Sequence, residues 1–156
     1  MFYESIAKVY DYIFPKNRKQ LEFVESIKKI SIEEKILDIG CATGNLTELL
    51  GEKTGNVVGI DLDKELLKEA KDKHPNLNFE NMNMLEVNEK FEENSFDRVV
   101  SFGNTLVHLD SREEVEEFFQ KVYKTLKFNG LFIVQIINYN RVIEKNIKNL
   151  PTINNE

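Results

Sequence analysis

The stretch "ILDIGCATGNLTELL", residues 36–50, decides the fold. It starts as an apolar strand over 35–39, breaks at Gly40 and Gly44, and continues as an amphipathic helical segment over about 44–53. Glycines let a strand turn sharply into a helix, and the first helical turn then presents unpaired N–H groups and the positive end of its dipole. Such a turn is built to hold a ligand. Asp38, two residues before Gly40, restricts which one.

Working outward from this turn, strands and helices alternate. "VVGIDLD" gives a second strand over 56–60, followed by a helix over about 64–73 and a third strand over 77–81. "SFDRVVSF" is a fourth strand, "SREEVEEFFQKVYKTLK" a helix and "GLFIVQII" a fifth strand. This βαβαβ-then-βαβ pattern requires crossover connections and hence a mainly parallel sheet covered on both faces. The expected architecture is a three-layer α/β/α sandwich with strand order 3-2-1-4-5. In the helix after strand four, Ser111 and Glu114 form a capping box. Val115, Phe118, Phe119, Val122, Tyr123 and Leu126 fall on one face, which makes Phe118 and Phe119 core residues. "NG" at 129–130 ends this helix, with Gly130 in the left-handed conformation. Upstream, residues 4–14 read as a helix ending at Pro15, and "NRKQLEFVESIKKI" as a second with Asn17 as its cap. The tail from 138 to 156 is rich in Asn and Lys and contains Pro151, which suits a short helix and a frayed end.

The 156 residues suffice for one domain with a sizeable core. With 41% apolar and 31% charged residues the composition is that of a soluble globular chain. The net charge of −6 and the lack of a long basic run disfavour direct nucleic-acid binding. A single cysteine, Cys41, excludes an intramolecular disulfide framework and suits a reducing compartment. Charges at Glu4, Lys8 and Asp11 rule out a signal-peptide core, and no stretch reaches membrane-spanning length. The expectation is a cytoplasmic protein with no membrane partner.

A glycine-rich turn alone accommodates NAD, a nucleotide or S-adenosylmethionine. The order Gly40-Cys41-Ala42-Thr43-Gly44 lacks the G-x-G-x-x-G spacing that admits a pyrophosphate. Asp38 would repel a pyrophosphate and attract an ammonium group, such as the amine of S-adenosylmethionine; equally, it could hydrogen-bond backbone in the loop. Asp61 ends the second strand 21 residues after Gly40, where a carboxylate can accept hydrogen bonds from two ribose hydroxyls. Asp63 is the better cap for the next helix. The third strand delivers "NMNML" to the same edge, so that Asn83 could pair with an adenine edge while Leu62 and Met84 sandwich its ring.

The segments "ILDIGCATGNLT", "VVGIDLD", "NMNMLEV", "FDRVVSFGNTLVHL" and "VYKTLKFNGLFIVQIIN", in this order and spacing, resemble the class I S-adenosylmethionine-dependent methyltransferases, with their Rossmann-like fold. The resemblance covers residues 36–138, and "VYDYIF" is similar to a segment that often lies over the cofactor, which adds Tyr10. It implies that Asp38, Gly40, Cys41, Ala42 and Gly44 shape the methionine end of the site. Asp61 then serves the ribose, Asn83 and Met84 the adenine with Leu62 on the other side of its ring, and Gly103 the approach of the fourth strand. Ala42 replaces the middle glycine of the family's usual G-x-G-x-G, and Asn83 the commoner Asp, although Asn keeps both a donor and an acceptor. The family's strands six and seven are missing from this pattern. Such a chain would be a piece of a longer enzyme or a reduced domain with an apolar edge through which two copies could pair. The expected organisation is N-terminal helices capping the cofactor over 1–34, an S-adenosylmethionine-binding core over 35–138, and a tail over 139–156.

Methyl transfer is an in-line displacement that needs positioning more than a dedicated base. The segment after strand four faces the switch point, which makes Asn104 and His108 the candidate contacts to a small-molecule acceptor. His108 is the candidate general base, with packing against the next helix as its alternative role. Cys41 lacks a basic partner and reads as small filler rather than a nucleophile. No His or Cys cluster suggests a metal. A module that binds the cofactor without catalysis is the alternative function; a nicotinamide-dependent oxidoreductase is disfavoured by Asp38 and the glycine spacing.

Overall fold

Five strands form one sheet in the order 3-2-1-4-5, with every neighbouring pair parallel. They are β1 (Ile36–Ile39), β2 (Val57–Asp61), β3 (Asn78–Asn81), β4 (Phe96–Ser101) and β5 (Leu126–Val134). The structure is a computed structural model and describes residues 6–148. Its helices are α1 (Tyr10–Ile13), α2 (Arg18–Ile27), α3 (Asn45–Thr54), α4 (Lys64–Lys73), α5 (Val87–Lys90), α6 (Arg112–Thr125) and α7 (Tyr139–Glu144). Among the described residues no helix is long and apolar enough to cross a membrane.

The layers follow from the period-two alternation of buried strands. Ile36, Val57, Val100 and Ile133 meet Leu21 and Val24 of α2 and Leu46, Leu49 and Leu50 of α3 on one face. Cys41 and Phe79 meet Leu67 and Ala70 of α4 beside them. Leu37, Ile39, Val58, Ile60 and Val99 meet Val87 of α5 and Phe118 and Val122 of α6 on the other. Caps set the helix starts. Asn17 accepts the Lys19 N–H, Asp63 accepts those of Glu65 and Leu66, and Ser111 accepts that of Glu114.

Four details differ from the sequence expectation. The N-terminal helix is broken into a 3₁₀ turn, Ala7–Val9, and the single turn of α1; residues 4 and 5 lie outside the described residues. Helix α6 closes at Thr125, because the N–H groups of Asn94 and Ser95 take the carbonyls of Lys124 and Thr125 and draw the chain into β5. Asn129, not Gly130, adopts the left-handed conformation (φ +61°), inside an irregularity of β5 rather than at a helix end. Of the aromatics on α6 only Phe118 is fully buried; Phe119 is 41% and Tyr123 80% exposed. Adjacent helical residues point about 100° apart, so Phe119 instead reaches the Phe132 ring, 5.4 Å away between centroids. The tail does form a short helix, α7, while Pro151 lies outside the described residues.

A buried ion pair, unread in the sequence, locks α2 to the sheet. Arg98 of β4 is 1% exposed. Its guanidinium meets the Glu34 carboxylate at 3.0 and 3.2 Å and donates to the carbonyls of Val24 and Lys28 at the end of α2.

Candidate functional site

The winding of the sheet reverses between β1 and β4, and the loops leaving β1, β2 and β4 surround a cavity of about 990 Å³ at that edge. The turn after β1 and the carboxylate after β2 are built against each other. Ala42 takes a left-handed φ of +48° and donates its N–H to Asp61 Oδ2 at 2.9 Å, while Asp61 Oδ1 accepts the Asp63 N–H at 2.9 Å. Each oxygen thus spends one lone pair on backbone and keeps the carboxylate fixed for a ligand's hydroxyls. Burial pushes the Asp61 carboxyl above its ordinary pKa, with nearby Asp63 adding to the rise against the opposing pull of the backbone N–H groups. Gly40, at φ +76°, admits no side chain: a Cβ there would lie 2.2 Å from Thr105 Oγ1.

At the other end of the cavity, Asn83 caps the turn Met84–Glu86. Its Oδ1 accepts the Leu85 N–H at 2.9 Å, and its own N–H donates to Glu86. The carboxamide Nδ2 therefore remains as the donor that Asn83 offers a ligand, where an aspartate would offer only acceptors. Leu62, 67% exposed, and Met84 line the cavity together with Asn83.

Of the residues expected at the site, Tyr10, Gly40, Ala42, Asp61, Leu62, Asn83, Met84, Gly103 and His108 line one cavity. Four do not. Asp38 is 2% exposed beneath the turn and accepts the Thr47 hydroxyl at 2.7 Å. Burial, with Asp61 nearby, raises its pKa to about 7 against the pull of that hydrogen bond. Its partner is thus a side chain of α3 and not the backbone of its own loop. Cys41 is buried behind the turn, and burial, with Asp38 and Asp61, pushes its thiol well up. Gly44, at φ +81°, sits over Phe79 and His74. Asn104 turns away from the cavity, donating to the Tyr139 hydroxyl at 2.9 Å and accepting the Ile137 N–H at 3.0 Å. It ties the loop after β4 to the segment after β5, as does Gln135 by accepting the Gly103 N–H. Sequence reasoning missed Thr105 and Phe102, which line the cavity, and Asp11, which bonds to Thr43 of the glycine turn. The last had a signal, a lone carboxylate among the aromatics of "VYDYIF".

A parallel sheet wound in this order, with a fixed carboxylate after β2 and a glycine turn after β1, defines a doubly wound α/β protein with a cavity at the switch point. The chain belongs to the family described as "Methyltransferase domain", whose profile matches residues 36–130. It is 32% identical over 141 residues to the uncharacterized protein MJ1252 of Methanocaldococcus jannaschii, which covers 88% of this chain and 51% of that one. It is 30% identical over 116 residues to the demethylmenaquinone methyltransferase of Oceanobacillus iheyensis, covering 68% and 46%. The chain thus spans about half the length of these curated relatives. In fold it is similar to a solved S-adenosylmethionine-dependent methyltransferase from Clostridium acetobutylicum, with a TM-score of 0.74 at 23% identity over 93% of this chain and 61% of that one.

Proposed function

We propose that the chain binds S-adenosyl-L-methionine in this cavity and positions it for methyl transfer to a small-molecule acceptor. The observation that carries the reading is Asp61, held rigidly by Ala42 and Asp63 with acceptor capacity turned to the cavity, as two adjacent ribose hydroxyls require. Asn83 donates to an acceptor nitrogen of the adenine, and Leu62 and Met84 flank the ring. Gly40 leaves the backbone after β1 open to the methionine portion. The carboxylate of Asp61, joined by that of Asp38 when ionised, adds a negative field that favours a cationic ligand over a pyrophosphate. In this reading residues 35–138 are the cofactor-binding core and the segment before them supplies the cover.

When bound, the cofactor supplies an electrophilic methyl group on a sulfonium. The chain's own work is then to orient and to exclude water. Gly103 and Thr105 hold the wall next to the glycine turn, Tyr10 covers it, and His108 stands in the same wall as the candidate acceptor of the substrate's proton. Asp63, Glu65, Asp110 and Glu114 at the cavity, with the net charge of −6, oppose a polyanionic acceptor and favour a small neutral or cationic molecule.

Calorimetric titration of the full chain with S-adenosylmethionine tests the reading, with NAD as the parallel ligand. We expect saturable binding that Asp61→Ala weakens at least about tenfold, as for loss of charge-assisted hydrogen bonds. Binding of NAD instead, or none by the folded chain, would overturn it.

A further inference from the structure

We propose that Asp11 is the positioning residue that latches the N-terminal segment over the cleft and thereby sets how long S-adenosylmethionine stays bound. The inference rests on the function proposed above. Helix α1 is four residues long and has no fully buried residue, so helical propensity and apolar packing, with Ala7 the one buried residue just before it, hold it only weakly. Polar contacts add to that hold. Asp11 Oδ1 accepts the Thr43 hydroxyl at 2.5 Å and the Asn45 Nδ2 at 3.0 Å, and Oδ2 pairs with Lys73. Asn45 also donates to the Phe14 carbonyl at 3.4 Å, just past the end of α1.

These donors come from three places: the glycine turn, the first residue of α3 and the last residue of α4. One carboxylate therefore gathers the rim of the cleft. Partial burial raises the Asp11 pKa, yet the bonds from Lys73, Thr43 and Asn45 outweigh it and hold the carboxyl below its ordinary value. The neighbouring residue, Tyr10, lines the cavity, and its ring packs on Phe14 with centroids 4.9 Å apart. Lifting α1 would break all of the Asp11 bonds together and remove Tyr10 from the cavity wall. A ligand beneath Tyr10 consequently leaves only when the Asp11 cluster opens. The ion pair alone, with both side chains about one-third exposed, would be a weak tie; its combination with two neutral donors on one carboxylate makes the hold cooperative.

The test is the dissociation rate of radiolabelled S-adenosylmethionine from the full chain, chased with unlabelled ligand, together with amide hydrogen exchange over residues 6–14. Asp11→Asn should speed dissociation about tenfold and raise exchange in that segment while lowering the unliganded unfolding midpoint only modestly. Lys73→Met, which keeps the neutral donors, should speed it by a smaller factor of about three. The charge-swapped pair Asp11→Lys with Lys73→Asp should recover part of the slow dissociation that either single change loses. Unchanged dissociation in Asp11→Asn and Lys73→Met, with the wild type binding normally, would overturn the latch and leave the proposed function standing. Failure of the folded wild type to bind at all would overturn that function and the latch with it.

Discussion

At Asp38 the chain buries a carboxyl with a single hydrogen-bond partner, the Thr47 hydroxyl, next to a second acid. Its folded pKa is about 7 against an ordinary value of 3.8, so the folded state holds a proton that the unfolded chain has already released. The contribution to stability is therefore most favourable below about pH 4, falls as pH rises towards 7 and stays low above it. Asp38→Asn keeps an acceptor for Thr47 and removes the charge. It should stabilise the unliganded chain at pH 8 by up to about 4 kcal/mol and change it little at pH 4, as measured by urea unfolding at both values. An equal effect at the two pH values would mean that the carboxyl does not titrate in between. The sequence made Gly40, Asp61 and Asn83 legible because a turn and two strand ends converge wherever a parallel sheet reverses. It left Asp38 with two roles, since a carboxylate's partner depends on which side of the turn it lies. Asn104 was misread for a related reason: its left-handed φ of +69° swings its amide from the cleft towards Tyr139 and Ile137.

Among the elements, α2 is joined to the sheet by Arg98, which donates to the Val24 and Lys28 carbonyls while paired with Glu34, as well as by Leu21 and Val24. Buried pairs add little net stability, but breaking one strands the remaining charge. Arg98→Met should lower unfolding stability by about 3–5 kcal/mol, and adding Glu34→Gln should restore part of that loss. Urea unfolding of the two singles and the double variant measures the coupling; additive effects would mean that the pair is not formed. Element type and order were readable here because the helices are amphipathic and capped, and the strands short and apolar. Ends decided by partners were not. Helix α6 stops where the loop before β4 claims its last carbonyls, and the turn Tyr10–Ile13 is tied through Asp11 to the glycine turn, contacts that have no trace in local periodicity.

Over the whole molecule, the ligand proposed here would touch the loops after β1, β2, β3 and β4 at once, so its binding should stabilise the sheet as a unit. Binding to the folded state alone contributes about 2.7 kcal/mol when free ligand is a hundredfold above its dissociation constant. For a chain of this size that corresponds to a rise of roughly 5–10 °C in unfolding midpoint. Differential scanning calorimetry with S-adenosylmethionine should show this rise in the wild type, and Asp61→Ala at the same ligand concentration should show about half of it or less. Asp38→Asn separates the two uses of buried charge, because its unliganded midpoint at pH 8 should go up while its ligand-induced rise shrinks. If both increased together, the negative field under the turn would not serve the ligand, and specificity for a cation would have to come from the cavity wall alone.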